Sequence, residues 1–242
     1  MQATLTDVPA AILAGGLGTR LRSCIAACPK VLAPVHGRPY LCYLLDQLAN
    51  AGVCRVVLLT GYMADSVEAV FGAYYAGMQL AYSRETTPLG TGGALRNALP
   101  LLQAPVALVL NGDSYCDVAL PDFWDFHCGE QATVSLVLTE VENASRFGVV
   151  HVSKARVNRF AEKQDTRGGG WINAGVYLID RRQVQEIPPG RSVSLEREMF
   201  PTWSQRGCLH GFQSRGRFLD IGTPEAYSEA SEFFCRVQCP GG

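Results

Sequence analysis

The sequence predicts an α/β domain with a mixed, mainly parallel central sheet, helices on both faces and a smaller antiparallel region. Two observations carry that prediction. Short, unbroken apolar runs at 10–14, 55–60 and 106–110 are rich in Leu, Ala and β-branched residues, as strands buried on both faces must be, and segments of helical periodicity separate them. From about 131 onward the strand-like runs come closer together, with fewer helical segments between them.

Taken in order, the run at 10–14 is the first strand. Pro39 suits a first helical turn, and Leu41, Leu44, Leu45 and Leu48 recur at helical spacing until Gly52 stops the helix. Helices are also expected over 65–71 and 92–99, after the second strand and before the third. Strand, helix, strand repeats of this kind give a Rossmann-like parallel sheet, whose ligands lie beyond the carboxyl ends of the strands. Gly15 and Asp113 both fall at such ends. The runs 133–139, 148–152, 157–161 and 172–178 are expected to pair antiparallel, with Gly168, Gly169 and Gly170 as a turn, and a last helix spans about 224–234. No linker, internal repeat or low-complexity tract divides the 242 residues, so a single domain over 1–242 is expected.

The net charge of −1 offers no field for nucleic acid or a membrane surface, and no apolar run reaches the roughly 18 residues of a membrane span. The first residues lack the charged and apolar regions of a secretory signal, which gives a cytoplasmic expectation. Nine cysteines with no Cys-x-x-Cys read as reduced and partly buried. Cys24 with Cys28, and Cys235 with Cys239, each share a helix-face spacing without the short hairpins of a zinc site. His36, His127, His151 and His210 have no common spacing and read as structural or surface residues.

The most informative segment is Leu13-Ala-Gly-Gly-Leu-Gly-Thr-Arg-Leu-Arg22, which follows the first strand directly. Glycines let backbone N–H groups approach an anion, and arginine adds a forked cationic donor. Two familiar glycine loops are excluded by spacing. No Lys-Ser/Thr pair follows as an ATPase phosphate loop requires, and Gly16-Leu17-Gly18 is followed by Leu21 where a dinucleotide fold needs its third glycine. The second strand also ends in Thr60-Gly61 without the acid that binds a ribose, which removes a nucleotide-binding oxidoreductase. A polyphosphate site at the end of the first strand is the reading that remains.

This segment, with Pro29-Lys30, resembles the signature of the sugar-1-phosphate nucleotidyltransferases. The resemblance continues in family order through Glu85-Thr-Thr-Pro-Leu-Gly-Thr-Gly-Gly-Ala94, Leu110-Asn-Gly-Asp113, Phe147-Gly-Val-Val150, Glu162-Lys163, Ile172-Asn-Ala-Gly175 and Asp220-Ile-Gly-Thr-Pro224. Within the family, Gly-Thr-Gly-Gly-Ala looks most like the guanylyltransferases acting on D-glycero-α-D-manno-heptose 1-phosphate. Arg22-Ser23-Cys24 and Val31-Leu32 depart from commoner family patterns and bear on the substrate rather than on catalysis. The resemblance implies transfer of GMP from GTP to a sugar 1-phosphate with release of pyrophosphate. Its alternatives are mannose 1-phosphate as acceptor, a uridylyl, thymidylyl or cytidylyl donor, or a non-catalytic sugar-nucleotide-binding subunit. It also divides the domain into a nucleotide-binding half, about 1–130, and a sugar-phosphate-binding half, about 131–242, and leaves room for a homodimer.

That chemistry needs positioning and charge stabilisation rather than a nucleophilic triad, because a sugar 1-phosphate is already anionic, its second pKa being near about 6. The resemblance therefore gives catalytic roles to Arg20 on the triphosphate, Lys30 on the α-phosphate and Lys163 on the sugar phosphate. Asp113 and Asp220 would hold Mg²⁺, which takes few carboxylates beside phosphate oxygens and water. Nucleotide contacts are expected from Leu13, Ala14, Gly15, Gly16, Gly18, Thr19, Arg20, Thr91 and Gly112. Glu85 would read guanine where many relatives of other base preference carry glutamine, and Pro88 and Gly90 would shape the pocket floor. Gly148, Glu162, Lys163 and Asn173 are the sugar-phosphate contacts.

Overall fold

The computed structural model describes residues 4–16, 18, 21, 28–160 and 168–235. Strand β1 (Ala10–Leu13) opens the sheet, and a short hairpin of β2 (Pro34–Val35) and β3 (Arg38–Pro39) precedes helix α1 (Leu41–Asn50). Then follow β4 (Arg55–Thr60), α2 (Ala64–Phe71), β5 (Tyr74–Tyr75), β6 (Met78–Arg84), α3 (Gly90–Ala98) and β7 (Val106–Asn111). The second half contains β8 (Ser114–Cys116), α4 (Leu120–Gly129), β9 (Val134–Val141), β10 (Val150–Ser153), β11 (Arg156–Phe160) and β12 (Gly170–Asp180). It ends with α5 (Arg181–Glu186), α6 (Phe200–Gln205), β13 (Leu209–Ser214), β14 (Phe218–Asp220) and α7 (Pro224–Cys235).

Ten strands form one sheet in the order β10-β11-β13-β9-β12-β7-β1-β4-β6-β5. β7, β1, β4 and β6 pair in parallel. Period-two alternation along them explains why both faces are covered. Ala10, Ile12, Val56, Leu58, Leu108 and Leu110 join one core with the apolar stripes of α1 and α7. Ala11, Val57, Leu59 and Val109 join the other with Leu95 of α3 and Phe200 and Trp203 of α6. The expected mixed α/β class is the observed one.

Several local expectations need correction. The antiparallel pairing expected in the second half is, by contrast, observed: β9 with β12 and β10 with β11, within the one sheet. β12 runs antiparallel to both β7 and β9, but β13 lies parallel to β9 in the same sheet. Pro39 does not open a helix. It pairs with Pro34 across the β2–β3 hairpin, where its missing N–H is harmless at an edge, and the helix starts at Leu41. Gly170 belongs to β12 rather than to a turn. β6, α4 and β13 had no counterpart in the sequence reading, although Leu120, Phe123, Trp124 and His127 on α4 are all buried at helical spacing.

Candidate active site

The carboxyl ends of β1, β4 and β7 open into a cavity of about 790 Å³. Its floor is backbone. Ala14 N–H donates to Leu59 O at 2.9 Å, and Gly112 N–H to Leu13 O at 3.0 Å. A Cβ on Gly112 would lie 2.4 Å from Leu13 O, so only glycine lets the end of β7 cross the end of β1 this closely. The crossing puts Gly15 and Gly16 beside Asp113 in one cavity wall, together with Leu13, Ala14 and Gly112. Gly18, at φ +57°, packs against the Lys30 side chain, 3.3 Å from where its own Cβ would be.

Lys30 opens a 3₁₀ turn, Lys30–Leu32, directly after Pro29. Its Nζ meets Asp113 Oδ2 at 2.8 Å, with the lysine side chain only 13% exposed and the aspartate 45%. Asp220 arrives on the β8–β14 ribbon, where it pairs with Ser114, and Ile221 N–H donates to Asp113 O at 2.9 Å. Burial, and then the Asp113 charge, push the Asp220 carboxyl up, against the opposing pull of Lys30, the Gly222 N–H and Arg146. A half-exposed and a part-buried carboxylate on adjoining backbone suit a divalent cation that keeps waters and phosphate oxygens. Among the described residues no group of three or more His, Cys, Asp or Glu is arranged to hold a metal. Asp113 and Asp220 thus fit Mg²⁺ as a pair that relies on its substrate for further ligands.

Glu85 follows β6 and lines the cavity beside Gly15 and Gly61. Its N–H donates to Thr60 O, and its Oε2 accepts from Leu89 N–H at 3.1 Å. Its Oε1 lies 2.9 Å and 2.7 Å from where Cβ atoms of Gly15 and Gly61 would be. Both glycines therefore make room for this carboxylate. Burial pushes the Glu85 carboxyl up, and the Leu89 N–H partly offsets that. Pro88, Gly90 and Thr91 also line the cavity. Gly90, at φ +69°, has a second duty: its Cβ would fall 2.6 Å from Val193 O, and Gly92 N–H donates to the same oxygen at 2.9 Å. The glycines after Gly90 dock α3 onto the 191–195 segment rather than cradle a ligand.

The second half contributes differently. Asn173 lies in β12 at a register shift against β9 and is outside the cavity lining. Its Oδ1 accepts from Gly175 N–H at 2.9 Å and its Nδ2 donates to the Tyr177 hydroxyl at 3.0 Å. Gly148 is buried at φ +82°, also away from the cavity lining. Three residues given no role in the sequence reading stand at the site. Asn111, the last residue of β7, lines the cavity. Arg146 brings a guanidinium nitrogen to 3.9 Å from Asp220 Oδ1. Glu196, on a π-helical turn Leu195–Met199, lines the cavity. Asn111 was legible two residues before Asp113; Arg146 and Glu196 carry no local signal that separates them from surface charges.

Thr19, Arg20, Arg22, Glu162 and Lys163, with Cys24 and Cys239, lie outside the described residues. The seven described cysteines are free. His127 is buried with Nδ1 2.8 Å from Ser135 Oγ, and His210 is buried too, which fits structural roles. Among the described residues no helix is long and apolar enough to cross a membrane.

Residues 9–236 match the model of a family described as nucleotidyl transferase. The mannose-1-phosphate guanylyltransferase of Mycobacterium tuberculosis is 39% identical over 238 residues, 97% of this chain and 66% of that protein. The chain therefore spans about two thirds of that relative's length. The D-glycero-alpha-D-manno-heptose 1-phosphate guanylyltransferase of Aneurinibacillus thermoaerophilus is 34% identical over 223 residues, 92% of this chain and 96% of that protein. A crystal structure of HddC from Yersinia pseudotuberculosis complexed with GMP-PN superposes with a TM-score of 0.83 at 32% identity, covering 94% of this chain and 99% of that one.

Proposed function

The chain belongs to the nucleotidyl transferase family, and on that premise we propose that it transfers GMP from GTP to a sugar 1-phosphate and releases pyrophosphate. One observation supports this more than any other: a single cavity gathers the glycine backbone of Gly15 and Gly16, Lys30, Glu85 and the Asp113–Asp220 pair. That set is suited to nucleotidyl transfer. The acceptor phosphate needs no general base, so the protein's work is to hold two anions in line and to balance the charge that develops. Lys30, held by Asp113, meets charge at the α-phosphate. Asp113 and Asp220 would hold Mg²⁺, which would supply a Lewis acid to the phosphate oxygens. Arg20 and Lys163 are assigned to the triphosphate and to the sugar phosphate. Glu85 offers Oε1 to the N1 and N2 donors of guanine, its Oε2 being already engaged by Leu89 N–H.

D-glycero-α-D-manno-heptose 1-phosphate is the favoured acceptor, on the Gly90-Thr-Gly-Gly-Ala94 stretch. Mannose 1-phosphate is the second reading, supported by the 39% identity to the mycobacterial relative. A cytoplasmic location is part of the same proposal. The deciding experiment is a pyrophosphate-release screen of GTP, UTP, dTTP and CTP against several sugar 1-phosphates with Mg²⁺. Release with GTP and heptose 1-phosphate is expected to exceed every other pair. No release with any pair would leave only the binding-subunit reading.

A further inference from the structure

We infer that Glu196 is a specificity-determining residue that accepts a hydrogen bond from a ring hydroxyl of the sugar 1-phosphate, an inference that rests on the reading above. Four carboxylates line the cavity: Glu85, Asp113, Asp220 and Glu196. The first three have roles toward base and metal. A fourth carboxylate in a cavity for two phosphate esters repels both unless it faces donors, and the donors Glu196 already meets are hydroxyls, those of Thr91 and Ser194.

Its geometry is that of a fixed acceptor. Thr91 Oγ1 donates to Glu196 Oε2 at 2.7 Å and Ser194 Oγ to the same oxygen at 3.0 Å. Thr91 Oγ1 in turn accepts from Leu195 N–H at 2.8 Å, which ties the turn to the start of α3. Oε2 is thus committed, and Oε1 makes no hydrogen bond with any described residue. The carboxylate sits in a π-helical turn, an irregularity that aims a side chain at functional sites more often than elsewhere.

The neighbours say which part of the substrate it meets. The Tyr177 hydroxyl accepts from Asn173 Nδ2, and its phenol is pushed up first by burial and next by the negative charge of Glu196. Glu196 therefore stands on the β12 side of the cavity, with the residues of the sugar half, while Glu85 holds the base side. A carboxylate only accepts, so it distinguishes a hydroxyl from hydrogen or fluorine at one ring position. Sites built on such bonds reject the analogue that lacks the donor.

The test measures pyrophosphate release with GTP and the preferred sugar 1-phosphate, then with its monodeoxy analogues, for wild type, Glu196→Gln and Thr91→Val. Wild type is expected to lose roughly tenfold to a hundredfold in kcat/KM on one deoxy analogue. Glu196→Gln should raise KM for the sugar 1-phosphate about tenfold, hold KM for GTP within about threefold, and shrink that deoxy penalty. Thr91→Val breaks the tie to α3 and spares the carboxylate, so it should lower Tm and weaken GTP while the deoxy penalty survives. If Glu196→Gln instead keeps the full penalty at every ring position, or raises KM for GTP as much as for the sugar, Glu196 is only a strut for the base-side segment and the inference is overturned. A wild type that releases pyrophosphate with no sugar 1-phosphate overturns the functional reading and this inference with it. Activity with an unaltered penalty in the variant overturns this inference alone.

Discussion

The two halves of the molecule build their shares of the site by different means. In the first, parallel strands end together and the loops beyond them supply backbone: Gly15, Gly16 and Gly112, with Lys30 as a described cation. In the second, side chains arrive from a two-stranded ribbon (Asp220), a π-helical turn (Glu196) and a long loop (Arg146). Each half also holds one carboxylate by a single oxygen, Glu85 through Leu89 N–H and Glu196 through Thr91 and Ser194. The contrast teaches that one half shapes a cradle by what it lacks, namely side chains, and the other tunes it by what it adds. The halves meet at a joint where Asp113 and Asp220 come together from opposite sides, the place to which catalysis is assigned in the proposal above.

The largest expected effect tests that joint. Asp113→Asn and Asp220→Asn should each lower turnover at least about a hundredfold with folding little changed, on the scale of a lost metal or electrostatic contact. Pyrophosphate release at saturating GTP and sugar 1-phosphate, with far-UV dichroism as the folding control, checks it. Similar losses for both would mean the halves share one metal. Full activity of either variant, or of wild type in EDTA, would break the comparison at its centre.

The contrast also explains how much of the site could be read from the sequence. Loops that follow directly on apolar runs are local features, so Gly15, Asp113 and the polyphosphate reading were available from the chain alone, whereas Lys30 took its role from the resemblance. Asp220 was placed by resemblance, and only the β8–β14 pairing shows why it reaches Asp113. Arg146 and Glu196 stayed hidden because their meaning depends on contacts with residues distant in sequence, Asp220 and Thr91. The same reason left β13 without a counterpart in the sequence reading. Whether it runs parallel or antiparallel to β9 is decided by the path through α5 and α6, not by the apolar pattern of six residues. Gly90 was read as part of a pocket floor, and the stretch Gly90 to Gly93 is also a packing face against Val193 and Arg191.

Two glycines separate shape from stability. Gly175, at φ +78°, would place a Cβ 2.4 Å from Ser114 Oγ and 3.0 Å from Asn111 Cβ. Gly175→Ala should destabilise by about 1–3 kcal/mol, since both the left-handed backbone and the contact at the joint are strained. Gly16 has open space around its Cβ position and no positive φ. Gly16→Ala should stay within about 0.5 kcal/mol of wild type in stability. Its cost should appear in kcat/KM for GTP, where an added methyl group holds the phosphates off the backbone. Denaturant titrations and initial rates separate the two. A stable Gly175→Ala protein would show that the β12 irregularity is loosely held, and an unaltered kcat/KM in Gly16→Ala would remove Gly16 from the cradle.

A third prediction compares the carboxylates that serve base and sugar. Glu85→Gln keeps size but turns one acceptor oxygen into a donor, facing donors on guanine. The change should cost about 1–3 kcal/mol against GTP, while UTP and dTTP lose less or gain. The ratio of kcat/KM for GTP to that for UTP measures it. KM for the sugar 1-phosphate should be unaffected, the reverse of the pattern expected for Glu196. An unchanged nucleotide ratio would take base reading away from Glu85.

The smallest effect concerns the same residue and pH. Burial raises the Glu85 carboxyl, so in the folded protein it takes up its proton at a higher pH than in the unfolded chain. Between those two pKa values the native state binds more protons, and stability must rise as pH falls through the window. Above the folded pKa the ionised group costs stability. Glu85→Gln removes that cost and keeps a carbonyl oxygen for Leu89 N–H. The variant should therefore have an equal or slightly higher Tm than wild type at pH 7–8, and the difference should shrink as pH falls below the folded pKa and vanish below the unfolded one. Activity should move the opposite way. The ionised form is the one that accepts from guanine, so wild-type kcat/KM for GTP should fall on an acid limb that the variant lacks. Thermal melts and rates over the same pH series test both. If the variant melts lower at neutral pH, the charged carboxylate is a net stabiliser, held by more than Leu89 N–H. Glu85 would then be a structural anchor of its loop rather than a group kept charged, at some expense in stability, for the base.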